Sequence, residues 1–193
     1  MFSTLLALDE HSGFPLYLAF IENETASDYE KAIRSIEERG YTIFGIIIDG
    51  KKSLFTLFSD YQIQMCQFHM KQIIRRYLTQ NPRLKAAREL KDLLDTLTFS
   101  SERDFKTNYA QWKEKWKDTH AKRSLLKWGK KSYTRKRLRS AMHSLDFYMP
   151  YFFTFQQESC EGMPNTNNKI EGTFTNLKKR RVSGYSRLYD EES

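Results

Sequence analysis

The sequence predicts an α/β fold with a mixed sheet in its first 80 residues, an all-helical block after it and a closing helix. Three observations predict this. Up to about residue 80, short β-branched and aromatic runs alternate with helical patterns, as strands joined by crossovers do. From Pro82 onward apolar residues recur at helical spacing, as in Leu90, Leu93, Leu94 and Leu97. The charge balance also divides along the chain. Residues 1–66 carry 5 Lys and Arg against 10 Asp and Glu, whereas residues 67–193 carry 27 against 14. An acidic half therefore precedes a half suited to a polyanion, although basic helices can also present plain solvated faces.

Ser3 to Leu8 and Phe14 to Ile21 are apolar runs separated by Asp9-Glu10-His11-Ser12-Gly13, a turn-rich segment, and read as a β-hairpin. Thr25 or Ser27 can cap a helix with the stripe Tyr29, Ala32, Ile33 and Ile36, which Gly40 stops. Tyr41 to Ile48 ends in three isoleucines and reads as a central strand covered on both faces. Asp49-Gly50 closes it. Lys51 to Phe58 reads as a short helix, Ile63 to Cys66 as a strand and Phe68 to Leu78 as a helix.

Leu84 to Leu97, Glu102 to Trp116 and Thr134 to Leu145 are expected helices, with no strand between Pro82 and Met149. Tyr148 to Phe155 is an aromatic cluster, and Asn167 to Lys179 reads as a last helix. The expected units are residues 1–80, a helical insertion over 81–160, and a closing segment over 161–193.

Composition excludes several classes. At 39% hydrophobic and 15% aromatic residues the 193-residue chain is globular rather than disordered. No apolar run approaches the ~20 residues needed to cross a bilayer, and Met1 to Leu8 lacks the basic flank of a secretory leader. Cys66 and Cys160 make no disulfide framework and fit a reducing compartment, so the cytoplasm is the expected location.

Five groups of residues can carry chemistry. Asp49 stands at the carboxyl end of the expected central strand, where open α/β sheets place their sites. The plainer reading is an Asp-Gly turn. Glu171 falls in the first turns of the last helix, beside an apolar stripe of Ile170, Phe174 and Leu177; a capping role is its ordinary alternative. Cys66 and His69 form a Cys-x-x-His pair, but zinc needs three or four ligands, and His11, His120, His143 and Cys160 show no partner spacing. A packed cysteine with a hydrogen-bonding histidine is the simpler expectation. Arg135, Lys136, Arg137 and Arg139, with Lys178, Lys179, Arg180 and Arg181, are basic clusters suited to phosphate. Trp112 and Trp116, four apart, are expected in the core, with base stacking the alternative.

In order, these segments resemble the Mutator-like DDE transposases of bacterial insertion sequences. The resemblance rests on the Asp9-Glu10-His11-Ser12-Gly13 hairpin, Ile48-Asp49-Gly50, Cys66-Gln67-Phe68-His69, Pro150-Tyr151, and Asn165-Thr166-Asn167-Asn168 leading to Glu171-Gly172. It implies an RNase H-like mixed sheet with an all-helical insertion before the last catalytic helix. It implies two Mg²⁺ (or Mn²⁺) ions, with Asp49 and Glu171 as two of three metal-holding carboxylates. Such ions take oxygen ligands and drive in-line phosphoryl displacement. DNA, at transposon ends and target, is the implied partner, with a homodimer or a complex with an intact transposase and a nucleoid-associated location.

The departure lies at the start. In the family the first aspartate sits on a strand before the hairpin, and Met1 falls within that hairpin; Asp9 matches a turn residue instead. The expectation is a fold lacking its first strand: a truncated, inactive transposase. The alternative is a non-catalytic DNA-binding protein or partner of an intact transposase.

Overall fold

A computed structural model describes residues 3–125, 131–170 and 172–173. The fold is mixed α/β. Strands β1 (Ser3–Leu8) and β2 (Pro15–Ile21) form an antiparallel hairpin, with Leu5 opposite Ala19 and Leu6 opposite Leu18. The Asp9 carboxylate closes its turn by accepting from the backbone of His11 and Ser12, and Gly13 takes the left-handed φ of +73° that the turn needs. Helix α1 (Ala26–Glu38) starts at Thr25 in a capping box: the Thr25 hydroxyl accepts from Asp28 N–H, and the Asp28 carboxylate accepts from Thr25 N–H.

Strand β3 (Ile46–Ile48), helix α2 (Lys52–Leu57) and strand β4 (Ile63–Met65) follow, and β3 pairs β4 in parallel. Four longer helices come next: α3 (Gln67–Leu78), α4 (Lys85–Asp95), α5 (Glu102–Lys115) and, after a short α6 (Lys117–Ala121), α7 (Lys136–Tyr148). Three 3₁₀ turns between Met149 and Cys160 carry the aromatic cluster back across β4. Among the described residues no helix is long and apolar enough to cross a membrane.

Three expectations are corrected. The described strands form three separate two-stranded pairs rather than one mixed sheet. The strand expected over Tyr41 to Ile48 is regular only at Ile46–Ile48; Tyr41 and Phe44 are exposed, and among the described residues β3 has a ladder on one side only. A run of isoleucines thus reported β-propensity correctly but not a central position, which depends on a second neighbouring strand. The block over 81–160 is not all-helical either. Strands β5 (Arg123–Leu125) and β6 (Lys131–Tyr133) form a small hairpin there. Its support is a cation–π stack, invisible to periodicity: the guanidinium groups of Arg123 and Arg139 lie 4.5 and 3.6 Å from the Tyr133 ring centre.

The main core joins the helices to β4. Met70, Ile74, Leu90, Leu94, Phe105, Leu145 and Phe152 are sealed from water within it. Two buried glutamines bind the aromatic turns to that core. The Gln64 and Gln67 amides donate to the Phe152 carbonyl at 3.0 and 2.8 Å, and the Gln64 oxygen accepts from Phe155 N–H at 3.1 Å.

Candidate functional site

Asp49 follows the last residue of β3, and its side chain is exposed. The turn beneath it is fixed from two sides. Gly50 has φ +107°, a backbone conformation that favours glycine, and a Cβ there would meet the tip of the Ile73 side chain at 2.8 Å. The Tyr148 hydroxyl of α7 donates to the Gly50 carbonyl at 2.5 Å, tying the strand end to the basic block.

Beside it, Lys51 pairs with Glu24 at 2.9 Å, and the Tyr29 hydroxyl also donates to Glu24. The Tyr29 hydrogen bond, then Lys51, holds the Glu24 carboxyl below its usual range against a smaller opposing effect of burial. Burial, helped by Glu24 and Asp49, pushes the Tyr29 phenol well up. The strand end is therefore acidic, with one lysine neutralising part of it.

The Cys-x-x-His pair stands at the neighbouring junction between β4 and α3. Cys66 N–H donates to the Ile48 carbonyl at 2.8 Å, so this junction adjoins Asp49 in the backbone ladder. The Cys66 side chain is fully buried; its Sγ donates to Asn167 Oδ1 at 2.9 Å and lies 3.4 Å from His69 Nδ1. Gln67 N–H donates to the Asn165 carbonyl at 2.9 Å, and the Asn165 amide donates to the Thr98 carbonyl at 3.3 Å. The polar run 165–168 is thereby stitched to the strand end, 101 positions from Cys66 for the Asn167 bond. Residues 168–170 are helical. Glu171 itself, like Lys178, Lys179, Arg180 and Arg181, lies outside the described residues.

The other basic cluster divides. Arg135, Lys136 and Arg137 are exposed at the start of α7, where no side chain caps the helix and no acidic residue occupies the first turn. Cations at a positive helix end raise the local potential further. Arg139 is instead committed to structure: it covers Tyr133 and donates to the His120 carbonyl at 3.2 Å. The tryptophans are structural too. Trp112 donates to the Ala86 carbonyl at 3.0 Å and Trp116 to Glu89 at 2.7 Å.

A cleft of about 940 Å³, which the sequence reading did not anticipate, opens beside Asp49. Residues of β1, α1 and β3 border it, together with Met163, Asn167 and Ile170. Asp49 and the residue preceding Glu171 thus line one space.

Among the described residues no three His, Cys, Asp or Glu side chains group as metal ligands. Asp49 has the right chemistry for a hard divalent cation but is a single carboxylate. No family model, curated protein or solved structure matches the chain.

Proposed function

We propose that the chain is the RNase H-like core of a Mutator-like DDE transposase, that it binds DNA, and that alone it does not cut it. One observation carries this reading. The exposed Asp49 at the end of β3 and the segment leading to Glu171 border the same cleft, the latter held by the Cys66–Asn167 bond. These are the segments on which the sequence resemblance rests.

Asp49 and Glu171 would hold Mg²⁺ or Mn²⁺, which when bound supplies the charge for phosphoryl transfer. Arg135, Lys136 and Arg137 would contact phosphates along the DNA backbone. A non-catalytic DNA-binding partner of an intact transposase is the second reading, favoured because no three potential metal ligands group among the described residues.

Mn²⁺ titration of the full chain, followed by electron paramagnetic resonance, tests the proposal. If one ion bridges both carboxylates, Asp49→Asn or Glu171→Gln lowers affinity about tenfold or more, and the double substitution adds little. Unchanged Mn²⁺ binding in both single variants favours the non-catalytic reading. DNA affinity should fall steeply with salt, with a shallower slope once Arg135, Lys136 and Arg137 are replaced by Ala. Cleavage of labelled transposon-end DNA by the isolated chain would refute the inactive assignment.

A further inference from the structure

We infer that the β5–β6 ribbon enters the major groove of duplex DNA, while Arg135, Lys136 and Arg137 hold the phosphates beside it. The inference rests on the DNA-binding part of the proposed function and needs neither a metal nor the carboxylates.

Charge marks the region. Between Asp118 and Asp146 the chain has nine Lys and Arg and no Asp or Glu. The lysines just before it are paired within the protein: Lys106 with Glu102, Lys113 with Asp146, Lys115 with Glu89 and Lys117 with Glu114. No acidic residue of the 119–145 segment offsets its own cations. A polyanion is therefore drawn to the ribbon and the start of α7 rather than to α5.

Strand alternation sorts the two faces of the ribbon. Arg123 lies opposite Tyr133, and Arg139 of α7 covers the same ring, so that face is turned to the helix. Ser124 lies opposite Ser132 on the other face. Thr134 N–H donates to the Lys122 carbonyl at 3.1 Å, which carries the pairing one step further and adds Thr134 and Lys122 to that outer face. Ser124, Thr134 and Lys122 are exposed, and Ser132 is half-buried. Beyond its own ladder the ribbon makes only slight contact with the rest of the described chain. A two-stranded ribbon by itself is marginally stable in water. The Arg123–Tyr133–Arg139 stack steadies it from the inner face and leaves a low row of hydroxyls outside.

Shape and chemistry then select duplex DNA. A two-stranded ribbon fits a major groove ~12 Å wide and ~8.5 Å deep. Small hydroxyl side chains let the ribbon backbone come close, and they bond base edges and phosphates alike. The narrow major groove of an RNA duplex does not admit side chains. Single strands are held on aromatic platforms, whereas Tyr133 is already committed to two guanidinium groups.

The test follows fluorescence anisotropy as the full chain binds four labelled probes. They are a short random-sequence DNA duplex, the same duplex with glucosylated hydroxymethylcytosine filling its major groove, its single strands, and the matching RNA duplex. Affinity should be about tenfold or more lower for the last three than for plain duplex. Saturating netropsin, a minor-groove ligand, should leave binding to plain duplex unchanged. Ser124→Val with Ser132→Val, which keeps β-propensity, should lower affinity for plain duplex about fivefold or more without altering the salt slope. Equal binding to the glucosylated duplex, to single strands or to RNA, competition by netropsin, or full affinity in the double variant overturns the inference and leaves the DNA-binding reading standing. Absence of binding to any DNA overturns both.

Discussion

In the helical half, Met70, Ile74, Leu90, Leu94, Phe105 and Phe152 are at most 1% exposed and belong to one continuous cluster. In the hairpin half, Phe20 is 69% exposed, Leu18 lies open beside it, and Phe44 next to β3 is 76% exposed. Leu5, Leu6, Ala32 and Ile36 are buried there but stand outside the main cluster. The hairpin packs chiefly on α1, while α3 packs on both α4 and α7. One chain thus carries a closed core and an open one. The contrast teaches where stability is stored: apolar side chains stabilise only as far as neighbours surround them, and the cleft removes neighbours from one side of β1 and β3.

The largest expected effect compares one substitution in both regions. Leu90→Ala should cost about 3–4 kcal/mol, because it opens a cavity in close-packed surroundings. Leu5→Ala, beside a space already open, should cost about 2 kcal/mol or less, the transfer contribution alone. Urea titration of both variants measures the difference, and equal costs would break the comparison.

The next effect concerns how the aromatic turns are held to the closed core. Gln64→Ala leaves Phe155 N–H without its acceptor and takes one of two donors from the Phe152 carbonyl. A loss of about 1–3 kcal/mol is expected in the same titration. A smaller loss would mean that packing of Phe152 and Phe153 suffices.

The smallest effect tests the acidic end of the open half through pH. Tyr29 and Lys51 hold the Glu24 carboxyl below its ordinary value of 4.5. A carboxylate with a depressed folded pKa contributes stability above its unfolded value and loses it as pH falls through the folded one. The wild type should therefore be more stable than Glu24→Gln at neutral pH, with the gap closing below about pH 4.5. Thermal melts at several pH values would show it. A gap that does not change with pH would mean these contacts leave the carboxyl undisturbed.

Much of the local structure was legible because local rules govern it. The hairpin with its Asp9–Gly13 turn, the Thr25 cap, and helices over most of the expected spans follow from spacing and capping chemistry. Asp49 at a strand end and Cys66 as a packed thiol were legible for the same reason. The Arg123–Tyr133–Arg139 stack and the β5–β6 hairpin were not, because three cations and aromatics among many carry no periodic signal. Nor did anything mark Tyr148 as the partner of Gly50, 98 positions away.

By itself the amino-acid order determined the mixed α/β class, the division of charge and most of the segments that become helix or strand. Those properties arise between residues a few positions apart. Tertiary structure alone decided that the described strands stand as separate pairs, that Cys66 bonds Asn167, and that a cleft opens beside β1, α1 and β3. Ladder partners, buried hydrogen bonds and cavities form between distant segments, and which segments meet depends on the packing of the whole molecule.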